Sequence, residues 1–550
     1  MKKIFLYLLL LFTSALIDPI NASAVAEFTT TFNSLYNITS AGESNVTHTI
    51  TLKNNLSHIY ATDYSIATSG DKLKNITASD ESGPLQSTIN VQNGITNILL
   101  TINHPIVGKD QTKTISLSYQ TDDVVEIIGD TTTINIPRLA RANEAESYTR
   151  IVRVQNIQDR PQLIYPPFSK SEPDGDYTIY TFDGHQSDSL TLLFGKSVTY
   201  KLNLTYELRS KELNASDSEL ALPPDTNYQH IMIGSLTPPP LDIHLDESGN
   251  WLARYALRPQ EKLLVKAEIY ATVYPQPTLF DPSSVNLNKS PGSKYWETKS
   301  ATITNIAGQL KTPENIYRYI TSNFTYNYAG ATAGSSRKGA QVALSSPTNV
   351  LCTEFTDSFV SLARVLQIPS REINGYGYTK NSTLQPQNTT TDILHSWPEF
   401  YDTSKKQWIS IDPTWGNTTG GIDYFNKLDF SHIAFVRHGA EDSYPLPAGS
   451  YKSVPSEKYI QVEVASDLPT ENASYEIKKE GDKTMIFNNG NVALLNKSID
   501  VDGKTISIIY LAPYDTYLVP KNQVVSFYDK IKRLCAKLLS IFSRQQQVSM

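Results

Sequence analysis

The residues best suited to chemistry in this chain are Cys352, His395 and Asp412. A thiol, an imidazole and a carboxylate are the parts of a nucleophilic site. The thiolate attacks, the ring takes and returns a proton, and the carboxylate holds the ring. Only two cysteines, Cys352 and Cys535, occur in 550 residues. An exported chain that relied on disulfides would carry more of them at regular spacings, so the fold is expected to be disulfide-free. A lone mid-chain cysteine then has two readings, a small buried apolar residue or a nucleophile. Taken singly, the three residues read as a core thiol, a strand-end histidine and a turn aspartate; chemistry requires that they share one setting.

That setting depends on the elements that carry them. Phe355, Phe359, Leu362 and Leu366 share one face of a helix expected over 351–366, which ends before Pro369. Cys352 falls in its first turn, with Thr348 or Asn349 as the expected cap, and the free N–H groups of a helix N-terminus favour a thiolate. His395 opens a strand-like run in which alternation places His395, Trp397, Glu399 and Tyr401 on one face. Pro398 within that run requires an edge strand or a bulge. Asp412 closes the next run, and a turn over 402–406 makes the two runs a hairpin that brings His395 and Asp412 to the same end. The working form expected is a thiolate–imidazolium pair held by Asp412.

Several motifs then recur together. Leu351-Cys352-Thr353-Glu354-Phe355, Leu362-Ala363-Arg364, Gln367-Ile368-Pro369-Ser370-Arg371 and Gly375-Tyr376 resemble the helix and first strand of the transglutaminase-like superfamily. His395-Ser396-Trp397 and Asp412-Pro413-Thr414-Trp415 resemble its histidine and aspartate motifs, and Arg337-Lys338-Gly339-Ala340 resembles bacterial members. All stand in family order over roughly residues 305–440. The resemblance implies a papain-like α+β domain with Cys352 as nucleophile, His395 as base and Asp412 as orienting acid. Thr353 departs from the aromatic residue that many members carry there. For the oxyanion and pocket the candidates are the Cys352 N–H, Gln341, Trp397 and Trp415. No cofactor is expected, calcium included. No metal is expected either, since His432 and His438 lack an HExxH motif or a Cys/His ligand cluster and read as satisfied surface histidines.

The remainder of the chain reads as mostly β and multidomain. Met1-Lys2-Lys3, an apolar run and Ala22-Ser23-Ala24-Val25-Ala26 have the three parts of a secretory signal over 1–26. Alternating Thr/Val/Ile/Tyr runs separated by turn residues predict a β-sandwich over 27–197 and a second β-sandwich module over 198–300. The transglutaminase-like domain follows over 301–440, where Thr312-Pro313 marks a helix start, and a small C-terminal β-sandwich over 441–520. In 521–550, Tyr528, Ile531, Cys535, Leu538 and Phe542 at helical spacing, among lysines and arginines, predict a basic amphipathic helix. Peripheral membrane contact is the functional reading of that helix; packing on the body is the plain one. The net charge is −7 and no basic domain stands out, which argues against a nucleic-acid partner.

The expectation is an exported protein, whether secreted, periplasmic or at the cell surface. Its function would be cysteine-dependent acyl transfer on peptide or protein amide bonds. Water as second acceptor would make it a peptidase or amidase, an amine a transglutaminase. The competing reading is a non-catalytic surface-binding or structural protein that uses the central domain as a scaffold.

Overall fold

The computed structural model describes residues 27–520 apart from 93, 141–143, 157–159, 184–188, 284–291, 333–334, 387–391, 393 and 455. The expected signal peptide and the terminal basic helix, with Cys535, lie outside the described residues. No helix among the described residues is long and apolar enough to cross a membrane.

The chain is mostly β, as its alternating runs require. Ser44–Asn54 buries every second residue, so that Val46, His48, Ile50 and Leu52 face inward. It pairs with Phe28–Ile38 in an eight-stranded sheet, which shares one core with sheets of four and three strands. One pair departs from the expected antiparallel pattern: Phe28–Ile38 runs parallel to Ser147–Gln155.

The middle module is built on Val198–Arg209 and Lys262–Val273, paired antiparallel along their whole length. Gln229–Thr237 lies on one side of them and Ile460–Val464 on the other. Ile460–Val464 was expected in the C-terminal sandwich; it is instead an edge strand here, with Ile460 opposite Leu204 and Val464 opposite Tyr200. The long open edge of Val198–Arg209 explains the exchange, since its unpaired backbone groups need a partner. The remaining C-terminal strands close a small core around Ile486, Leu494, Ile499 and Leu511.

The central domain contains five α-helices and four strands in the described residues. They are α1 (Ala301–Leu310), α2 (Pro313–Asn323), α3 (Ala340–Ser345), α4 (Cys352–Val365), β1 (Ser370–Gly377), β2 (His395–Asp402), β3 (Gln407–Ser410), α5 (Pro413–Thr418) and β4 (His432–His438). Thr312 caps α2 by accepting from the Asn315 N–H at 3.2 Å, with Pro313 in the first turn as expected. The sheet order is β3-β2-β1-β4.

Helix α4 packs on β2 and on α1, α2 and α3. It is therefore buried all round rather than on the one apolar face: Glu354, Thr356, Asp357, Ser358 and Ser361 are buried as well as Phe355, Phe359 and Leu362. Its interior charges have partners. Asp357 accepts from Trp296 Nε1 at 2.9 Å and from Arg337 Nε at 2.9 Å, and Arg337 also binds Glu372 on β1. These bonds tie the cysteine helix to the sheet.

Strand β4 sits at the sheet edge yet is wholly buried, because the middle module covers it. The Gln229 side-chain amide donates to the Ala434 carbonyl and accepts from its N–H, both at 2.9 Å. Asn250 does the same for Arg437, both at 2.8 Å. Two side-chain amides thus replace a neighbouring strand and hold β4 in place. Pro398 is also accommodated locally. β2 is an inner strand, but its pairing with β3 runs only over Glu399–Asp402, so the proline falls beyond it.

Candidate active site

Cys352 is the first residue of α4 and is 9 % exposed, with its sulfur free of any disulfide. The residue before it, Leu351, is the cap position and offers no side-chain acceptor. The expected caps Thr348 and Asn349 do not fill this role; Asn349 accepts from Asn327 instead. Glu354 reaches back from the third helical position and accepts from the Leu351 N–H at 2.8 Å and the Lys338 N–H at 2.9 Å. The turn is thereby fixed without a polar residue at the cap.

The β2–β3 hairpin brings His395 and Asp412 together as its register requires. Past the last ladder pair, Glu399–Ser410, the Ile411 N–H donates to the Pro398 carbonyl at 3.1 Å, and Asp412 then caps α5. Its Oδ1 accepts from the Thr414 N–H at 2.8 Å and the Trp415 N–H at 3.1 Å. That leaves Oδ2 for the rings. His395 Nε2 lies 2.9 Å from it, and His432 Nε2 lies 3.1 Å from the same atom. With Nε2 committed, Nδ1 is the His395 nitrogen left for the sulfur. It is buried with no hydrogen-bond partner among the described residues, sulfur included, while the Cys352 thiol is among the groups acting on the ring.

Aromatic rings set the His395 plane. It stacks on Trp415 at 5.0 Å between centroids and on Trp397 at 5.7 Å. Both tryptophans, expected as pocket residues, are buried walls of the histidine pair, and Trp415 also touches His432 at 4.4 Å. Gly375 leaves the space for this wall: a methyl there would collide with the Ile433 carbonyl and the Trp397 ring. Gln341 stands exposed on α3, where its N–H donates to Glu297, and joins none of these contacts.

His432 and His438 are the main correction to the sequence reading. Both are buried, at 3 % exposure each, because the middle module covers β4. His438 lies between Glu372 Oε2 at 3.0 Å and the Pro445 carbonyl at 2.9 Å. His432 lies between Asp412 and Asp429, with its Nδ1 2.7 Å from Asp429 Oδ1. Asp429 and His432 were missed as site residues. The usable signal was the run Ile433-Ala434-Phe435-Val436, too apolar for a surface strand, with a histidine at each end. His395, Asp412 and His432 also place three possible metal-ligand atoms within 4.8 Å of one another, which the sequence reading did not foresee. As they stand, these atoms are spent on hydrogen bonds to each other.

The electrostatics follow from this geometry. Burial disfavours an imidazolium, yet the Asp412 carboxylate, helped by Cys352, pushes His395 up to about 9. Burial likewise opposes charge on His432, and Asp429 with Asp412 pushes it up to about 9. Burial works against ionising Asp412, but the two rings hold its carboxyl well below the ordinary range. Raised histidines bind their protons more tightly folded than unfolded. Their contribution to stability is complete below the ordinary histidine value of about 6.5 and is lost as pH rises through about 9. Urea unfolding should therefore show stability falling between those two limits by on the order of 3 kcal/mol for each ring. A flat profile there would contradict the assigned protonation.

Residues 298–413 match the model of the transglutaminase-like superfamily, and the centre of the chain is a transglutaminase-like domain. No curated protein matches the chain. Among solved structures, the chain is similar to a candidate cysteine protease from Cytophaga hutchinsonii, at 18 % identity over 50 % of this chain and 93 % of that one, with a TM-score of 0.33. It is also similar to the periplasmic domain of TgpA from Pseudomonas aeruginosa bound to ethylmercury, at 13 % identity over 40 % and 91 %, TM-score 0.23. A candidate protease from Parabacteroides distasonis aligns at 11 % identity over 74 % and 73 %, TM-score 0.24.

Proposed function

We propose that this chain is an exported cysteine-dependent acyl-transfer enzyme that cleaves amide bonds in peptides or proteins. The observation that carries the reading is the placement of His395. One ring nitrogen is bound to the Asp412 carboxylate at 2.9 Å and the other is left for a thiol at the start of a buried helix. In the proposed reaction the Cys352 thiolate attacks the carbonyl carbon, and the oxyanion forms near the free N–H groups of the first turn of α4. His395 donates its proton to the leaving nitrogen as the C–N bond breaks, which yields a thioester and a free amine. A water molecule, deprotonated by His395, then attacks the thioester and releases the acid and the thiol. Asp412 keeps one tautomer throughout and stabilises the imidazolium. Export is supported by the charged start, apolar run and small residues of the first 26 positions. The basic amphipathic pattern of 521–550 supports peripheral contact with an anionic membrane.

Incubation with a peptide library, followed by acid quench and mass spectrometry, should reveal acyl adducts on Cys352 and hydrolysed products. Incorporation of an added amine into those products would assign cross-linking instead. The reading fails if no adduct forms and if Cys352 reacts with iodoacetamide at a rate that His395→Ala leaves unchanged. The domain would then be a scaffold.

A further inference from the structure

Hydrogen-bond accounting at His432 leads beyond the triad. Its Nδ1 faces Asp429 Oδ1 at 2.7 Å and its Nε2 faces Asp412 Oδ2 at 3.1 Å. Ionised carboxylates only accept, so a ring between two of them must donate from both nitrogens and carry a positive charge. His432, Asp429 and Asp412 are at most 3 % exposed, and Asp429 Oδ1 is itself fixed by the Ser431 N–H at 2.8 Å. The backbone that presents His432 is held by the Gln229 amide on the next residue but one, Ala434. The superfamily match ends at residue 413, so both Asp429 and His432 lie outside it.

We propose that His432, locked by Asp429, is a second imidazolium on Asp412 that positions the shared carboxylate and offsets its charge toward His395. This rests on the acyl-transfer reading and adds two positioning residues to it. Asp412 Oδ2 is divided between two cations, so its grip on the His395 proton is weaker than that of a carboxylate serving one ring alone. A base that gave up its proton too reluctantly would be a poor acid for the leaving amine. The other charged or titratable groups facing these two rings and Asp412 are Cys352 on α4, Glu126 on Val125–Ile128, Tyr317 on α2, Tyr326 and Tyr424. Beyond Asp429 lies Lys427.

The test compares His432→Gln with His432→Ala by the pH profile of Cys352 alkylation and of peptide turnover. Glutamine can keep a donor toward Asp412 but carries no charge. The expected result is turnover lowered about threefold at the optimum, with the basic limb, near 9 in the wild type, moved up by about one pH unit. His432→Ala removes both donor and charge, and turnover should fall about 100-fold as Asp412 loses its fixed position. The proposal is overturned if both variants lose activity only in proportion to the unfolded fraction with the basic limb unmoved. Wild-type behaviour separates the two claims. If wild-type Cys352 reacts no faster than a free thiol, the acyl-transfer reading itself falls. If it is activated but His432→Gln leaves the profile in place, only this inference falls.

Discussion

Cys352→Ala will remove peptide turnover almost completely, by a factor of about 10⁵ or more, while leaving the fold nearly as stable as before. The kinetic part follows from the proposed chemistry. No thioester forms without the sulfur, and His395 with the first-turn N–H groups is left with only the weak catalysis that binding and charge stabilisation provide. The stability part follows from position. Alanine is a good helix former, and residue 352 opens α4 where its own N–H has no intrahelical acceptor. Loss of one buried sulfur should cost about 1 kcal/mol. The check is turnover and urea unfolding on the same preparation. Residual turnover within tenfold of wild type would show that the chemistry lies elsewhere. A large loss of stability would make the kinetic result uninformative, and Cys352→Ser would then be the variant to measure.

Asp412→Ala is the second large effect, and it should differ in kind because stability and rate fall together. Asp412 makes four hydrogen bonds, two to the start of α5 and two to imidazoles. Its removal uncaps α5, which costs about 1 kcal/mol, and leaves two buried rings without their shared anion. Breaking a buried ion pair from one side typically costs about 3–5 kcal/mol. His395 loses its only carboxylate and should drop from about 9 toward or below the ordinary range, while His432 keeps Asp429 and should fall less. Turnover should fall by about 10³–10⁴, since the His395 tautomer is no longer specified. Asp412→Asn separates the contributions. Its carbonyl oxygen can still accept from the Thr414 and Trp415 N–H groups, but its NH₂ then points at two ring donors. The capping share of the stability, about 1 kcal/mol, should return, while the larger ion-pair share and most of the rate should not. Equal recovery of both would mean that Asp412 acts only as a helix cap.

These expectations were not all legible from the same source. The three candidate residues were visible in the chain because each sits at the boundary of an element, and boundaries leave local marks. Cys352 precedes a run of apolar residues at helical spacing, and His395 and Asp412 flank a hairpin whose turn and alternation are written in adjacent residues. The cap was misassigned for a similar reason. Thr348 and Asn349 have the right chemistry, but the helix starts at Cys352 and Glu354 satisfies the turn from inside. Capping strength is small compared with the burial of α4, so packing chose the boundary.

What escaped the sequence were the relationships made by covering. Nothing near His432 signals that Gln229 and Asn250, roughly 200 residues earlier by count, complete the edge of its strand. Without that cover a histidine at a strand start is rightly read as exposed. With it, the ring is buried between two carboxylates and must carry charge. In the same way, Ile460–Val464 alternates as any edge strand would, and only the open flank of Val198–Arg209 determined where it pairs. The sequence alone therefore determined which thiol, imidazole and carboxylate are the candidates for one site, because local periodicity and turn chemistry mark them. The tertiary structure alone decided that a second imidazolium shares Asp412, because burial and hydrogen-bond completion are properties of surfaces that meet only after the domains pack.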